Sequence, residues 1–187
     1  MLSTLQDILA PKSVELENET FQWWNGHAYM EGQKVRALYS KNDLEYHLTT
    51  TLLNNEFQRE SSLSSATDFN GFHLVTQLPQ VLPLYRITPN SRLERWLSKS
   101  YFNVDCKHRP YKKELLNSEW LLCLYALSFE LTAFSPDISC LQRGDRMELS
   151  INFQLSSREL DALDKILELI ENFARTSTQR GGIESLP

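Results

Sequence analysis

Residues 147–155 read Met-Glu-Leu-Ser-Ile-Asn-Phe-Gln-Leu, and every second side chain in this stretch is apolar. Successive side chains of a β-strand point to opposite faces of a sheet, so the alternation predicts a strand with one buried face. The turn signal Arg143-Gly144-Asp145 precedes it and predicts a return to a second strand at 138–141. We therefore expect an antiparallel hairpin here.

The segment after this hairpin changes to a helical period. Apolar residues recur at spacings of three and four, which predicts an amphipathic helix up to about residue 175 with this stripe in the core. The stripe consists of Leu160, Leu163, Ile166, Leu167, Ile170 and Phe173. Ser156 or Ser157 is positioned to cap the helix, with Glu159 and Asp161 in its first turn. Residues 176–187 are expected to form a flexible tail.

The N-terminal part of the chain is predicted to contain a strand and a hairpin. Residues 20–24 indicate a strand that ends at the turn signal Asn25-Gly26. Residues 27–30 and 33–39 then indicate a hairpin across Glu31-Gly32.

A helix is expected next, from residue 41 to residue 57, with Ser40 as a candidate N-cap. Its apolar residues recur every fourth position, as on one face of a helix: Leu44, Leu48 and Leu52. The threonines at 49–51 lower the helix propensity of this stretch. The Ser- and Thr-rich segment 60–71 has no periodicity, so we expect a surface loop there.

The middle of the chain is predicted to alternate strands and helices. Residues 72–78 and 82–88 indicate short strands, and the prolines that bracket them favour edge positions. Asn90 or Ser91 is positioned to cap a short helix. Residues 115–134 are apolar nearly all round, which predicts a central, buried helix.

Adjacent hairpins with few strand–helix–strand units predict an α+β fold, in which antiparallel strands pack with about four helices. The length of 187 residues favours one domain, which we assign to residues 1–175. Hydrophobic residues make up 41% and charged residues 23%, as in ordinary globular proteins. The start lacks a secretion signal and no segment is apolar over a membrane-spanning length, so we expect a cytoplasmic protein.

Charge is distributed unevenly along the chain. Residues 85–113 hold eight cations and two acids, a local charge of +6, which leaves −11 for the rest of a chain whose net charge is −5. Phosphates attract Lys and Arg, and exposed bases stack on aromatic rings, which also occur in this segment. The candidate nucleic-acid contacts are Arg92, Arg95, Lys99, Lys107, Arg109, Lys112 and Lys113. Alternatively, the aromatic residues belong to the core and the cations form a solvated face. The run 107–113 is expected to be a loop.

Trp23 and Trp24 are neighbours on a predicted strand, so their rings point to opposite faces. One ring is expected in the core. The other needs a cover from a second layer of the fold, from Tyr29 and Tyr39, or from a partner protein. Trp23, Trp24 and Tyr29 are therefore candidate protein-interaction residues.

Motifs of catalysis are absent from the sequence, including phosphate-binding loops, dinucleotide fingerprints, zinc-protease helices and nucleophile elbows. Cys106 and His108 provide only two potential metal ligands, whereas a closed zinc site needs four. The three cysteines form no close pair that would predict a disulfide framework. No metal and no cofactor is expected.

These features favour a non-catalytic accessory subunit that holds other protein subunits together in a larger assembly. A pI near 5.4 argues against an autonomous nucleic-acid binder, but such a subunit can add one basic surface to a nucleoprotein. RNA-guided complexes are one setting for such subunits, although no motif here is specific to them. The alternative is a small enzyme or ligand-binding domain with a site assembled from His73, His108, Asp137 and Glu148. A concave pocket holding several of these would favour the alternative, and a flat aromatic patch would favour the accessory subunit.

Overall fold

The computed structural model of the chain describes residues 2–12, 15–24, 29–53, 69–98 and 100–180, which form an α+β fold of eight strands and five α-helices. The strands are β1 (Glu15–Trp24), β2 (Tyr29–Lys41), β3 (Leu44–Leu53), β4 (Phe69–Leu78), β5 (Tyr85–Pro89), β6 (Phe102–Cys106), β7 (Asp137–Arg143) and β8 (Arg146–Ser156). The helices are α1 (Leu2–Leu9), α2 (Arg92–Ser98), α3 (Arg109–Leu116), α4 (Glu119–Glu130) and α5 (Leu163–Arg180). Short 3-10 turns at Ala10–Lys12 and Leu160–Ala162 follow α1 and precede α5.

All eight strands belong to one antiparallel sheet with the order β1-β2-β3-β4-β8-β7-β5-β6. The first four strands form a meander, and β8 joins this meander to the other three strands. The β4–β8 ladder runs from Phe69 opposite Ser156 to Leu78 opposite Met147. β1 and β6 are the two edges of the sheet.

Among the described residues, one face of the sheet is buried and the other is not. The alternation in β8 is confirmed, since its odd-numbered residues from Met147 to Leu155 are all buried. Leu5 and Leu9 of α1 and the whole predicted stripe of α5 pack into the same core. The opposite face carries polar side chains such as His73 and Asn152, and it stays open to solvent.

A buried ion pair ties the N-terminal segment to α5. Glu171 is fully buried, and its carboxylate contacts Lys12 Nζ at 3.0 Å and Lys41 Nζ at 2.7 Å. Tyr39 donates its hydroxyl to the same carboxylate at 3.0 Å. Removal of one partner of such a pair leaves a buried charge without compensation, so this contact orients α1 and β2 relative to α5.

The predicted β7–β8 hairpin is confirmed, and Gly144 in its turn has a positive φ of 64°. The predicted cap of α2 is also present. The Ser91 hydroxyl accepts the Glu94 N–H at 3.3 Å, and the Glu94 carboxylate accepts the Ser91 N–H at 2.8 Å. This reciprocal pair is a capping box.

The C-terminal helix is confirmed, but it extends further than expected. Residues 176–180 are helical, and Ser177 is buried. They belong to α5 and not to a tail, while residues 181–187 lie outside the described residues.

The helix expected over residues 41–57 is wrong, because this stretch forms β3 up to Leu53. Leucines four residues apart fit a strand as well as a helix, since four is a multiple of the strand period of two. Tyr46 and Thr50 lie between these leucines and are also buried, so the alternation is complete. Asn42 and Asp43 have positive φ angles of 54° and 61° and form the tight turn between β2 and β3.

The hairpin expected across Glu31-Gly32 is also wrong, because β2 is continuous from Tyr29 to Lys41. Gly32 lies at a close approach of side chains and not in a turn. A Cβ atom there would lie 2.8 Å from the ring of Phe21 and 3.1 Å from that of Trp23.

Two further expectations about strands and loops are corrected. β4 and β5 lie inside the sheet and not at its edges, and β6 is a strand that the sequence analysis did not predict. Residues 69–71 of the expected loop begin β4, and residues 60–68 of it lie outside the described residues.

The expected loop at 107–113 contains the first turns of α3. His108 caps this helix by accepting the Tyr111 N–H through Nδ1 at 3.2 Å. Pro110 lies in the first turn, where a missing N–H costs nothing. The single helix expected over 115–134 is divided into α3 and α4 at Ser118, which caps α4.

The turn between β2 and β3 can be tested at Asp43. We expect Asp43→Gly to leave the free energy of unfolding unchanged or to raise it by up to about 1 kcal/mol, because glycine adopts positive φ without strain. Asp43→Val should lower it by about 1–2 kcal/mol, because a β-branched residue is strained there. Urea denaturation measures both. A helix at this position would give the opposite order, since glycine is the worse helix former.

Candidate protein-interaction surface

The helix α4 carries apolar side chains on two opposite sides. The side that faces the core consists of Trp120, Leu121, Leu124 and Leu127, all buried. On the other side, Leu122 is 62%, Tyr125 45% and Phe129 82% exposed. Their spacings of three and four place these residues in one outward stripe. The expectation of a helix buried all round is therefore wrong, because the described residues cover only one side of α4.

Contacts at both ends hold α4 in a fixed orientation. Near its start, the Trp120 ring stacks on Phe173 of α5 with a centroid distance of 3.7 Å. Near its end, the Tyr101 hydroxyl donates to the Ser128 carbonyl at 3.3 Å. The outward stripe is thus presented by a helix that is packed firmly on its inner side.

Tyr101 links this stripe to α2. Its ring meets that of Tyr125 edge-on at 5.1 Å, and the Arg95 guanidinium lies over the Tyr101 ring, 4.5 Å from its centroid. α2 itself exposes Leu93 and Trp96, the latter by 77%. We call this surface the aromatic face; its members are Leu93, Trp96, Tyr101, Leu122, Tyr125 and Phe129.

Four of the predicted cations lie together at the start of α3. They are Lys107, Arg109, Lys112 and Lys113, and we call them the basic α3 surface. Helical spacing puts the last three on one side of α3. Within the described part of the chain, no ion pair involves any of the four. Their charge is therefore available to a phosphate or an acidic partner.

Arg92 and Arg95 belong to α2 and not to this surface. Arg95 is engaged by Tyr101 and donates its Nε–H to the Asn90 carbonyl at 2.9 Å. Arg92 is the first residue of α2. Lys99 lies outside the described residues.

The rings expected to stack on bases are mostly inaccessible. Tyr85 and Phe102 are buried, and Tyr111 is half-buried with its ring 5.8 Å from that of Tyr85. Trp96 is exposed, but it belongs to α2 and not to α3. The structure therefore separates the basic α3 surface from the accessible aromatic rings, which the sequence had suggested would act together.

Buried ionisable groups in this region are held in their neutral forms. Tyr85 lies between Cys106 and Cys140 on the neighbouring strands. Burial raises the pKa of Tyr85 well above its ordinary value and raises the pKa of Cys140 to about 12. A thiol of this kind is a core residue and neither a nucleophile nor a metal ligand at neutral pH.

The end of the β1–β2 hairpin carries the predicted interaction residues. Trp24 and Tyr29 are 57% and 73% exposed, and their rings meet edge-on at 5.2 Å. Trp23 points to the other face, as expected, and contacts Phe21 at 5.5 Å. It is only half-buried, so the expectation that one tryptophan enters the core is wrong. Tyr39 is no cover for either ring, because it is buried on Tyr46.

The open face of the sheet contains two adjoining concavities of about 930 and 580 Å³, and both are lined by Thr49 and His73. Asp137 lines the smaller one. His73 Nε2 lies 3.0 Å from Ser150 Oγ, and Asp137 accepts two hydrogen bonds from Arg86 at 3.0 and 2.6 Å.

The structure thus brings together only two of the four residues of the predicted assembled site. His108 caps α3, and Glu148 contacts Arg143 at 3.6 Å. Among the described residues, no group of three or more His, Cys, Asp or Glu side chains is placed to hold a metal ion.

Comparisons with known proteins give no match: no protein-family model, no curated protein and no solved structure is significantly similar to this chain. None of the described helices is long and apolar enough to cross a membrane.

The two sides of α4 can be compared by matched substitutions. Leu124→Ala should lower the free energy of unfolding by about 2–5 kcal/mol, because it leaves a cavity in the core. Leu122→Ala should change it by no more than about 0.5 kcal/mol, because this side chain is exposed in the free chain. Thermal and urea denaturation of the two variants measure the difference. Equal losses would show that the outer side of α4 is covered within the chain itself.

Proposed function

We propose that the chain is a non-catalytic accessory subunit that binds other protein subunits of a larger assembly through the aromatic face. The observation that supports this proposal is the second apolar side of α4, with Phe129 82% exposed. A helix that is apolar all round is normally buried all round. Here the described residues supply a cover for one side, so a partner protein is the natural cover for the other.

The composition of the aromatic face also favours a protein partner. Trp and Tyr are the residue types that contribute most to protein–protein binding, and Arg often accompanies them. Tyr125 and Arg95 provide two of these types through their shared contact with Tyr101, and α2 adds the exposed ring of Trp96. Because Tyr101 and the core side of α4 hold Tyr125 in place, little of its conformational entropy is lost when a partner binds.

The proposed role can be tested with one substitution on the aromatic face and one matched control. Phe129→Asp should leave the melting temperature nearly unchanged and weaken assembly by about 2 kcal/mol or more, since a charge would replace an aromatic anchor. Val81→Asp changes an apolar residue that is equally exposed but lies outside the aromatic face. It should leave assembly intact. The measurement is the mass and stoichiometry of the complex purified from its native source.

Two outcomes would contradict the proposal. A native protein that purifies as a monomer would leave the aromatic face without a partner. Equal assembly of Phe129→Asp and the unchanged chain would place the contact elsewhere.

A nucleoprotein setting is a second part of the proposal, and the basic α3 surface supports it. Four neighbouring cations without ion pairs among the described residues are suited to phosphate oxygens. The net charge of −5 opposes binding by the isolated chain. Within an assembly, other subunits would provide the rest of the groove and the α3 cations would add to it.

This second part predicts a change in salt dependence. The double variant Lys107→Glu, Lys113→Glu should weaken nucleic-acid retention by the assembly, and the slope of log affinity against log salt should fall by about 0.7–0.9 for each lost phosphate contact. The control Lys34→Glu, Arg158→Glu makes the same charge change away from α3 and should leave the slope unchanged. Identical binding of the two variants across salt concentrations would remove the nucleic-acid role.

A ligand-binding or enzymatic role is the alternative, and the shared concavity of His73 and Asp137 is the observation in its favour. Both side chains already have partners in Ser150 and Arg86. The concavities are also wide and open, and their lining is largely that of a solvated sheet face. The aromatic face is therefore the stronger basis for a function.

A further inference from the structure

The strand β1 has no strand on its outer side within the described part of the chain. All of its ten residues are paired with β2 on the inner side. In an antiparallel ladder, every second residue directs its N–H and C=O groups away from its partner strand. The outer edge of β1 therefore presents a row of backbone donors and acceptors that can accept a further strand.

Both faces of β1 are exposed to solvent among the described residues as well. Residues 15–20 are exposed on either side of the strand, because the helical layer does not extend over β1. The other sheet edge is different, since β6 is only five residues long and packs against α3, with Phe102, Val104 and Cys106 buried. Natural proteins usually keep exposed edges short, and β1 is a long exception.

One face of β1 carries only groups that attract cations. The residues on this face alternate along the strand: Glu15, Glu17, Glu19, Phe21 and Trp23. Carboxylates attract ammonium and guanidinium groups by charge, and aromatic rings attract them through their faces. The row therefore favours a neighbour with a cation at every second position.

The cations of β2 only partly neutralise this row. Glu17 contacts Arg36 at 3.5 Å, and both side chains are exposed, so this pair contributes little and can exchange partners. Glu19 lies opposite Lys34, and Glu15 lies opposite the apolar Leu38.

We propose that β1 accepts an extended segment of a partner protein as a ninth strand of the sheet. This segment carries Lys or Arg at alternate positions, facing the acids and rings of β1. Its intervening residues face the mixed row on the other side of the strand, in which Leu16 and Trp24 flank three polar residues. Backbone hydrogen bonds provide affinity, and the alternating charges set the register. The β1 strand of a second copy is disfavoured, because it would add three more carboxylates to the same face.

This inference deepens the proposed assembly role, on which it rests, by naming a second docking site and the chemistry of its partner. The site is separate from the aromatic face. If Phe129→Asp loses assembly and the unchanged chain shows no peptide selectivity at β1, the β1 site alone is contradicted. If Phe129→Asp assembles normally and β1 shows peptide selectivity, the aromatic-face role alone is contradicted.

The experiment uses the full chain and two fluorescein-labelled peptides as long as β1, one alternating Lys and Val and the other alternating Glu and Val. Because the two residue types alternate along each peptide, either peptide can pair with β1 in the parallel or the antiparallel direction. We expect the Lys-Val peptide to bind the unchanged chain at least about tenfold more tightly than the triple variant Glu15→Lys, Glu17→Lys, Glu19→Lys in fluorescence anisotropy. The Glu-Val peptide should gain affinity for this variant. The control Asp7→Lys, Asp161→Lys, Glu168→Lys makes the same charge change elsewhere and should bind like the unchanged chain.

Hydrogen exchange then locates the bound peptide. In the free chain, the amides of β1 should alternate between slow and fast exchange, because only every second N–H bonds to β2. The Lys-Val peptide should slow the fast set. Slow exchange of every β1 amide in the free chain would show that the edge is already occupied, and would overturn the proposal. So would equal binding of the Lys-Val peptide to the triple variant and the control.

Discussion

The pairing of β4 with β8 is the constraint on which the rest of the structure depends. These strands are distant in the sequence, and their ladder joins the N-terminal meander to the four C-terminal strands. Phe72 lies opposite Phe153, and their rings stack at 5.1 Å on the buried face. A shift of β8 by one residue along β4 would turn the buried row of β8 toward solvent, so the register is strongly determined. Without the ladder, each half of the sheet would have one more long edge.

A sheet with a single buried face determines where helices can lie. The helices with buried residues contribute to one core on that face, and a helix in this layer can bury only the side that points to the sheet. This geometry explains α4, whose inner side holds Trp120 and Leu124 while Phe129 points outward. It also explains the open concavities, which are the polar back of the same sheet.

The candidate surfaces therefore arise where this two-layer arrangement is incomplete. Within the described residues, the aromatic face is an uncovered side of the helical layer, and the outer side of β1 is an unpaired edge of the sheet. The basic α3 surface lies near the opposite edge, since α3 packs on β6. The accessory role that we propose would use separate surfaces of this kind, and each of the three has a different chemistry: apolar, acidic or basic.

The local sequence pattern was sufficient to predict a structural element wherever interactions between residues close in sequence determined that element. The alternation in β8, the turn at Gly144, the capping box at Ser91 and the stripe of α5 could all be predicted, because each depends on residues close in sequence. Composition singled out the cations of α3, whose role stays a prediction, but it did not indicate their helical context. The Trp23 and Trp24 rings were correctly assigned to opposite faces for the same local reason.

Other features were decided only by tertiary structure. Leucines at every fourth position in β3 suit either a helix or a strand, and the choice depended on the neighbouring strands β2 and β4. In α4 the same apolar residues suit a buried helix or a docking helix, and a sequence does not show which side its own fold will cover. Leu124 and Phe129 are equally apolar in the sequence, yet only Leu124 points to the sheet. The physical reason is that the hydrophobic effect is not directional. The sequence therefore determines how much apolar surface favours burial, and the packing of distant elements determines which part of that surface is buried.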